Sequence, residues 1–235
     1  ADPSGLKIGD QKTLLFEHFD YRLGKASIYC AEFNEDPSNA AIKPVMNPKH
    51  HISYPFLFMS EENIYCVPET YALGEIALYQ EIAFPDQWEK VATLIENVQG
   101  VDATLVQYED RWWLFCTHQD DGPCHKLWLY HADQLLGPWV SHDQNPIKVD
   151  IRNARPAGAL FFQEGKLFRP AQDCSGRYGS RIVINHVVKM TPYEYKEIPI
   201  HYVEADQSWP YPDGCHTINS IDGTTVIDGR RVRFI

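Results

Sequence analysis

A unit of about 50 residues recurs along this chain. The first copy reads DPSGLKIGDQKTLLFEHF, the second YPFLFMSEENIYCVPET, the third DATLVQYEDRWWLFCTH and the fourth RPAGALFFQEGKLFRPAQD. A shorter fifth reads HTINSIDGTTVIDGRR. Each is an apolar or β-branched run, a turn dipeptide (Gly9-Asp10, Glu62-Asn63, Glu109-Asp110, Glu164-Gly165, Asp222-Gly223) and a returning run, the pattern of a short β-hairpin. A third run follows each of the first four hairpins (ASIYCAEF, GEIALYQEI, HKLWLYHAD, SRIVINHVV), and units two to four add a fourth segment. Four strands per repeat at this period is the signature of a β-propeller.

The expectation is therefore an all-β, five-bladed propeller forming one domain over residues 1–235. Its blades fall at about 1–47, 48–97, 98–150, 151–208 and 209–235. The fifth is thin, because no outer strands remain after VIDGRRVRFI. Its open edge invites pairing with another domain or chain. In a propeller the innermost strand of each blade starts at the mouth of the central channel, and the second strand returns to it. The expected ring is Asp2, Tyr54, Asp102, Arg155 and His216, with Glu17, Glu69, Thr117 or His118, and Gln172 with Asp173 behind it. Asp2 to Glu17 and Tyr54 to Glu69 have the same spacing, which marks them as equivalent positions.

Composition narrows the function classes. A net charge of −11 argues against nucleic acid and anionic membrane surfaces as partners. No apolar run approaches the length of a membrane span, so no membrane insertion is expected. The chain opens without Met, as a processed, trimmed or tagged chain does. No signal-peptide pattern, permitted glycosylation sequon or paired-cysteine pattern occurs, which leans to a reduced, intracellular protein. Of six cysteines, Cys30, Cys66 and Cys116 sit inside strand runs, where a free thiol behaves as a small hydrophobe. Neither metal-ligand spacing nor a phosphate or dinucleotide loop is present, so no metal or cofactor is expected. The 13 Tyr, 11 Phe and 6 Trp suit strands and sugar-facing clefts.

The strings FEHFDYRLGK, HISYPFLF, VPET, VDATLVQYEDRWWLF, ARPAG and RPAQDCSGRYG, in order along the chain, carry a family resemblance. The chain resembles the propeller domain at the N-terminus of plant glucosamine inositolphosphorylceramide transferases and of many bacterial proteins, some fused to formyltransferase-like domains. More distantly it is similar to the five-bladed furanosidase-like propellers of glycoside hydrolase family 43. The resemblance implies carbohydrate chemistry, with Asp2 matching a general base and Asp102 the Asp that tunes a pKa. It departs at the acid: Arg155 stands where the family's Glu is expected, which puts ordinary hydrolysis in doubt. The transfer activity of the plant proteins is associated with a separate C-terminal domain.

Glycoside hydrolysis needs two carboxyl groups astride the scissile bond. The catalytic candidates are thus Asp2, Asp102 and Glu69, the last as the missing acid. A strand-end Asp also serves simply as a cap, and Glu69 as a plain strand-end carboxylate. His51 and Tyr54 offer hydrogen bonds and a stacking face, although the Tyr-Pro step also sets the start of a strand. Arg155, Arg169, Arg177 and Arg181 cluster within 27 residues of an acidic chain. Either they bind an anionic part of a ligand, a phosphate or uronate, or they pair with neighbours such as Asp173 to lock blade four. Gln172, Asp173, Arg177 and His216 complete the binding candidates. Two functions stand: a carbohydrate-active propeller that binds a glycan or glycosyl-phosphate with glycosidase-like or transfer chemistry, and a non-catalytic glycan-recognition or scaffold domain serving a partner transferase.

Overall fold

The computed structural model describes residues 1–232 in two compact units whose regular structure is almost all antiparallel strand. One comprises Ala1–Gly100 with Asn219–Val226, the other Val101–Ile218 with the chain from Ile227 onward.

The first unit contains two four-stranded meanders. One is β1 (Ser4–Ile8), β2 (Gln11–Asp20), β3 (Lys25–Phe33) and β4 (Ala41–Met46). The other is β5 (Ser53–Ser60), β6 (Asn63–Glu69), β7 (Glu75–Ala83) and β8 (Gln87–Glu96). Leu15, Ile28, Cys30, Ile52, Leu57 and Cys66 form one buried cluster that draws on both meanders. The three strand cysteines are free and fully buried, as small hydrophobes in a strand should be.

The second unit repeats the design. It holds β9 (Gly100–Tyr108), β10 (Arg111–His118) and β11 (Lys126–Ala132), with the short β12 (Val140–Ser141) and β13 (Lys148–Val149) both paired to β11. Beside these stands the meander β14 (Phe161–Gln163), β15 (Lys166–Asp173), β16 (Arg181–Met190) and β17 (Tyr195–Glu204). Trp113, Phe115, Leu127, Leu129 and Leu167 make the larger of its clusters. Glu109-Asp110 and Glu164-Gly165 close their hairpins with both residues at positive φ, the twist that a two-residue hairpin requires. The second hairpin turns at Glu61-Glu62, one residue earlier than the sequence suggests, because Ser60 pairs with Asn63.

Five blades were expected; the described residues form four blade-like sheets, three of four strands and one of five. The fifth unit supplies only a ribbon of β18 (Ile218–Ile221) and β19 (Thr224–Ile227). The chain after it makes a parallel bridge, Pro212 to Arg230, instead of outer strands. Within the first unit the ribbon is tied to β1 by side chains: Asn219 Nδ2 donates to Pro3 O at 2.6 Å and Lys7 pairs with Asp222 at 2.7 Å. Ile221 packs over Gly5, where a Cβ would also lie 2.6 Å from Thr13 O, so only glycine fits there.

Candidate functional site

The residues that open the first three inner strands share an uncommon backbone. Asp2, Tyr54 and Asp102 are buried non-glycine residues at φ +52°, +41° and +52°. The ladders show why. Ala1 and Glu17 exchange backbone hydrogen bonds at 2.9 and 2.8 Å while Ser4 pairs with Leu15, so Asp2 and Pro3 oppose the single residue Phe16. Ser53 pairs with Glu69 and Phe56 with Val67, so Tyr54 and Pro55 likewise oppose Pro68. Both are β-bulges, which re-aim a side chain at a local cost of roughly 1–3 kcal/mol per strained residue. Arg155 differs. Gln172 N–H donates to Arg155 O at 2.8 Å and Ala157 N–H to Pro170 O at 3.2 Å, a regular antiparallel step around the Pro156–Ala171 bridge.

In the first unit His51 and Glu69 are brought together through Ser53. Ala26 N–H donates to His51 Nδ1 at 3.2 Å, which leaves the neutral ring's proton on Nε2. Nε2–H therefore donates to Ser53 Oγ at 3.0 Å, and the Ser53 hydroxyl donates to Glu69 Oε1 at 2.8 Å. This relay runs towards the carboxylate, so Ser53 is not a nucleophile activated by its histidine, which would need the opposite polarity. Tyr71 closes the cluster, its ring 5.3 Å from His51, and burial with the nearby Glu69 and Glu17 raises its phenol above the ordinary range.

In the second unit Asp102, Arg155 and Gln172 form one network. Asp102 Oδ2 accepts from Arg155 Nε at 2.6 Å and from Gln172 Nε2 at 2.8 Å, and Oδ1 accepts from Arg155 Nη2 at 3.4 Å. Gln172 is fully buried, and its Nε2 is shared with Pro156 O at 2.8 Å. Its Oε1 is buried and accepts no hydrogen bond from the protein. The Arg155 guanidinium lies 5.0 Å from the ring centroid of Tyr178, whose ring is 5.0 Å from that of His216. His216 Nδ1 in turn stands 2.7 Å from Asp228 Oδ2.

Asp173 faces elsewhere. Burial raises its carboxyl, but bonds from Ser175 and Arg181 outweigh that and hold it below the ordinary value. With Arg177, Arg181, Glu204 and Asp213 it lines an open cavity of 330 Å³. Arg181 bridges Asp173 and Glu204, Arg169 is buried against Glu197, and Arg177 donates to the Asp213 carbonyl. Most of the arginine cluster is thus spent on carboxylates.

Burial lowers five imidazoles, those of His50, His51, His118, His131 and His142. Below about pH 6.5 the unfolded chain takes up protons at these rings that the folded chain resists, so stability falls as pH falls. A lower urea midpoint at about pH 5.5 than at about pH 7.5, at constant ionic strength, is expected. An unchanged or higher midpoint would contradict it.

Sequence reasoning missed Tyr178, Asp228 and the pair Cys124 and Cys174. The available signal was that Cys124 (GPCHK) and Cys174 (QDCSG) lie outside the apolar strand runs.

The meander sheets belong to an all-β propeller, the class that solved structures share with this chain. An exo-β-1,3-galactanase from Phanerochaete chrysosporium aligns over 87% of this chain and 52% of its own, with TM-score 0.66 and 12% identity. The α-L-arabinofuranosidase PaAbf62A from Podospora anserina aligns over 83% and 65%, with TM-score 0.64 and 12% identity. Sequence defines the family: the chain belongs to the glucosamine inositolphosphorylceramide transferase 1 N-terminal family, which matches residues 13–211. It is 40% identical over 207 residues to glucosamine inositolphosphorylceramide transferase 1 of Oryza sativa subsp. japonica, covering 86% of this chain. The Arabidopsis thaliana protein of that name is 32% identical over 157 residues, covering 65%. The chain spans 28% and 20% of the lengths of these two relatives.

Proposed function

We propose that this chain is a carbohydrate-recognition propeller of a glycosyltransferase-type protein, and that the Asp102–Arg155–Gln172 network with Tyr178 is its sugar contact. The observation that carries this reading is the commitment of Asp102: both its oxygens accept from Arg155, and Oδ2 also accepts from Gln172. Such a carboxylate is fixed in place and suited to orienting partners, not to shuttling a proton. Tyr178, 45% exposed beside Arg155, supplies an apolar ring face, while the fully buried Gln172 holds Asp102 in place. Because Arg155, Arg169 and Arg181 are each paired with a carboxylate, sugar hydroxyls fit better than a bare phosphate. The relatives' names, which state a glucosamine inositolphosphorylceramide transferase, agree with a glycan ligand.

A second reading keeps chemistry in the first unit, with Glu69 as an acid and Asp2 as a base. It is favoured by the bulges that set Asp2 and Tyr54 and by the relay that ends on Glu69. His51 and Tyr54 then contact the substrate in that unit.

Calorimetric titration with neutral sugars, uronates and sugar phosphates tests the first reading. Neutral glycans are expected to bind, and Tyr178→Ala to weaken them roughly 3- to 10-fold. Binding restricted to phosphates, or no binding by the folded protein across the panel, would overturn it.

A further inference from the structure

We infer that Cys124 and Cys174 form a reversible redox couple, in which Cys124 is the thiol attacked by peroxide and Cys174 the thiol that resolves it into a disulfide. The pair is brought together by the backbone. His125 O, next to Cys124, accepts from Asp150 N–H at 2.9 Å, and Cys174 N–H donates to Ile151 O at 3.0 Å. Cys174 and the residue after Cys124 are therefore bonded to consecutive residues of one turn. Each lies outside the regular strands, where the chain can give the small adjustment that a disulfide needs. The two thiols interact with each other, and the Arg155 charge acts on Cys124.

The surroundings divide the labour between the two sulfurs. Interaction with Cys174 lowers the Cys124 thiol against the opposing effect of burial, and the Arg155 charge adds to it. Interaction with Cys124 and burial push Cys174 above the ordinary thiol range. Cys124 is half-buried and open to a small oxidant, while Cys174 is buried. Burial raises the other buried thiols, Cys30 and Cys215 to about 11 and Cys66 and Cys116 beyond, which keeps them inert.

The chemistry closes with hydrogen peroxide as the named oxidant. The Cys124 thiolate attacks one peroxide oxygen; an S–O bond forms, the O–O bond breaks, and the departing hydroxide takes a proton from solvent as water. Cys174 then attacks the sulfenic sulfur; the S–S bond forms, the S–O bond breaks, and hydroxide leaves as water with the Cys174 proton. Two thiols are oxidised by two electrons and one peroxide is reduced to two waters. A dithiol such as dithiothreitol reverses the step by exchange. The consequence falls on Arg155, which in the reduced state faces two anions, Asp102 and Cys124, and in the oxidised state only Asp102. The couple is thereby wired to the sugar contact, yet it stands whether or not a glycan binds there.

The test uses the full chain treated with hydrogen peroxide and analysed by peptide mass mapping. A Cys124–Cys174 cross-linked peptide, lost on dithiothreitol treatment, is expected. Cys174→Ser should instead accumulate a sulfenic acid at Cys124 that dimedone traps. At about pH 7 limiting iodoacetamide should label Cys124 at least roughly ten-fold faster than Cys30 or Cys215. Arg155→Lys, which keeps a cation, and Arg155→Ala separate charge from folding: the pH midpoint of Cys124 alkylation should rise in the alanine variant and move less in the lysine one. Peroxide oxidation of methionines with no Cys124–Cys174 linkage would overturn the inference, as would equal labelling of Cys124 and the buried thiols.

Discussion

Arg169→Met is expected to lower the unfolding free energy by about 3–5 kcal/mol, the cost of stranding one member of a buried ion pair. Arg169 is 1% exposed, and its Nε and Nη2 donate to the two oxygens of Glu197 at 2.8 and 2.6 Å. Its nitrogens also bond Ala154 O and Asn153 O, and Lys148 and Tyr195 complete the shell of Glu197. Burial alone would raise the Glu197 carboxyl; Arg169 and Lys148 instead hold it below the ordinary range. Methionine fills the volume but removes both guanidinium bonds, leaving the buried carboxylate to Lys148 and Tyr195. The melting temperature should fall by roughly 10 °C. The double variant Arg169→Met with Glu197→Leu, which removes both charges, should recover much of the loss. A single variant within about 1 kcal/mol of wild type would show that the pair does not hold this meander.

The second large effect concerns Asp102 and Arg155, whose side chains are 3% and 13% exposed. Arg155→Ala removes the guanidinium that bonds both oxygens of the buried Asp102 carboxylate and should cost about 2–4 kcal/mol. Asp102→Asn keeps the shape and removes the charge. A double-mutant cycle between these two changes should give a coupling on the order of 2 kcal/mol in urea unfolding. Additivity within about 0.5 kcal/mol would mean that the two residues act independently and that the network is not a unit.

The hairpins were legible because their information is local. Glu109-Asp110 and Glu164-Gly165 sit between apolar runs, and the strands pair across them as the pattern implies. The equivalence of Asp2 and Tyr54 was legible too, from the shared spacing to Glu17 and Glu69; the bulge behind it supplies the reason. The fifth blade was misread because a repeat motif reveals the hairpin but not whether outer strands will pair beyond it. At Pro212 and Arg230 the chain chooses a parallel bridge that no local pattern announces. The arginines show the same limit. Arg155, Arg169, Arg177 and Arg181 look like one anion-binding cluster, but the partner of Arg169 is Glu197 on the outermost strand β17. A pairing between an inner and an outer strand depends on how the meander folds back, which spacing does not encode. The thiol pair was illegible for that reason: Cys124 and Cys174 are 50 residues apart and meet only because both flank the Asp150–Ile151 turn.

The reading of Asp102 as a fixed orienting group, in a module that recognises sugars without cleaving them, is exposed most directly by following a bound glycan over time. A neutral oligosaccharide that binds in calorimetry would be incubated with the protein and monitored by mass spectrometry. Saturable binding with the oligosaccharide intact, and binding weakened in Asp102→Asn, is the expected result. Cleavage or transfer that is abolished by Glu69→Gln or Asp102→Asn would contradict it and assign the chemistry to those carboxylates.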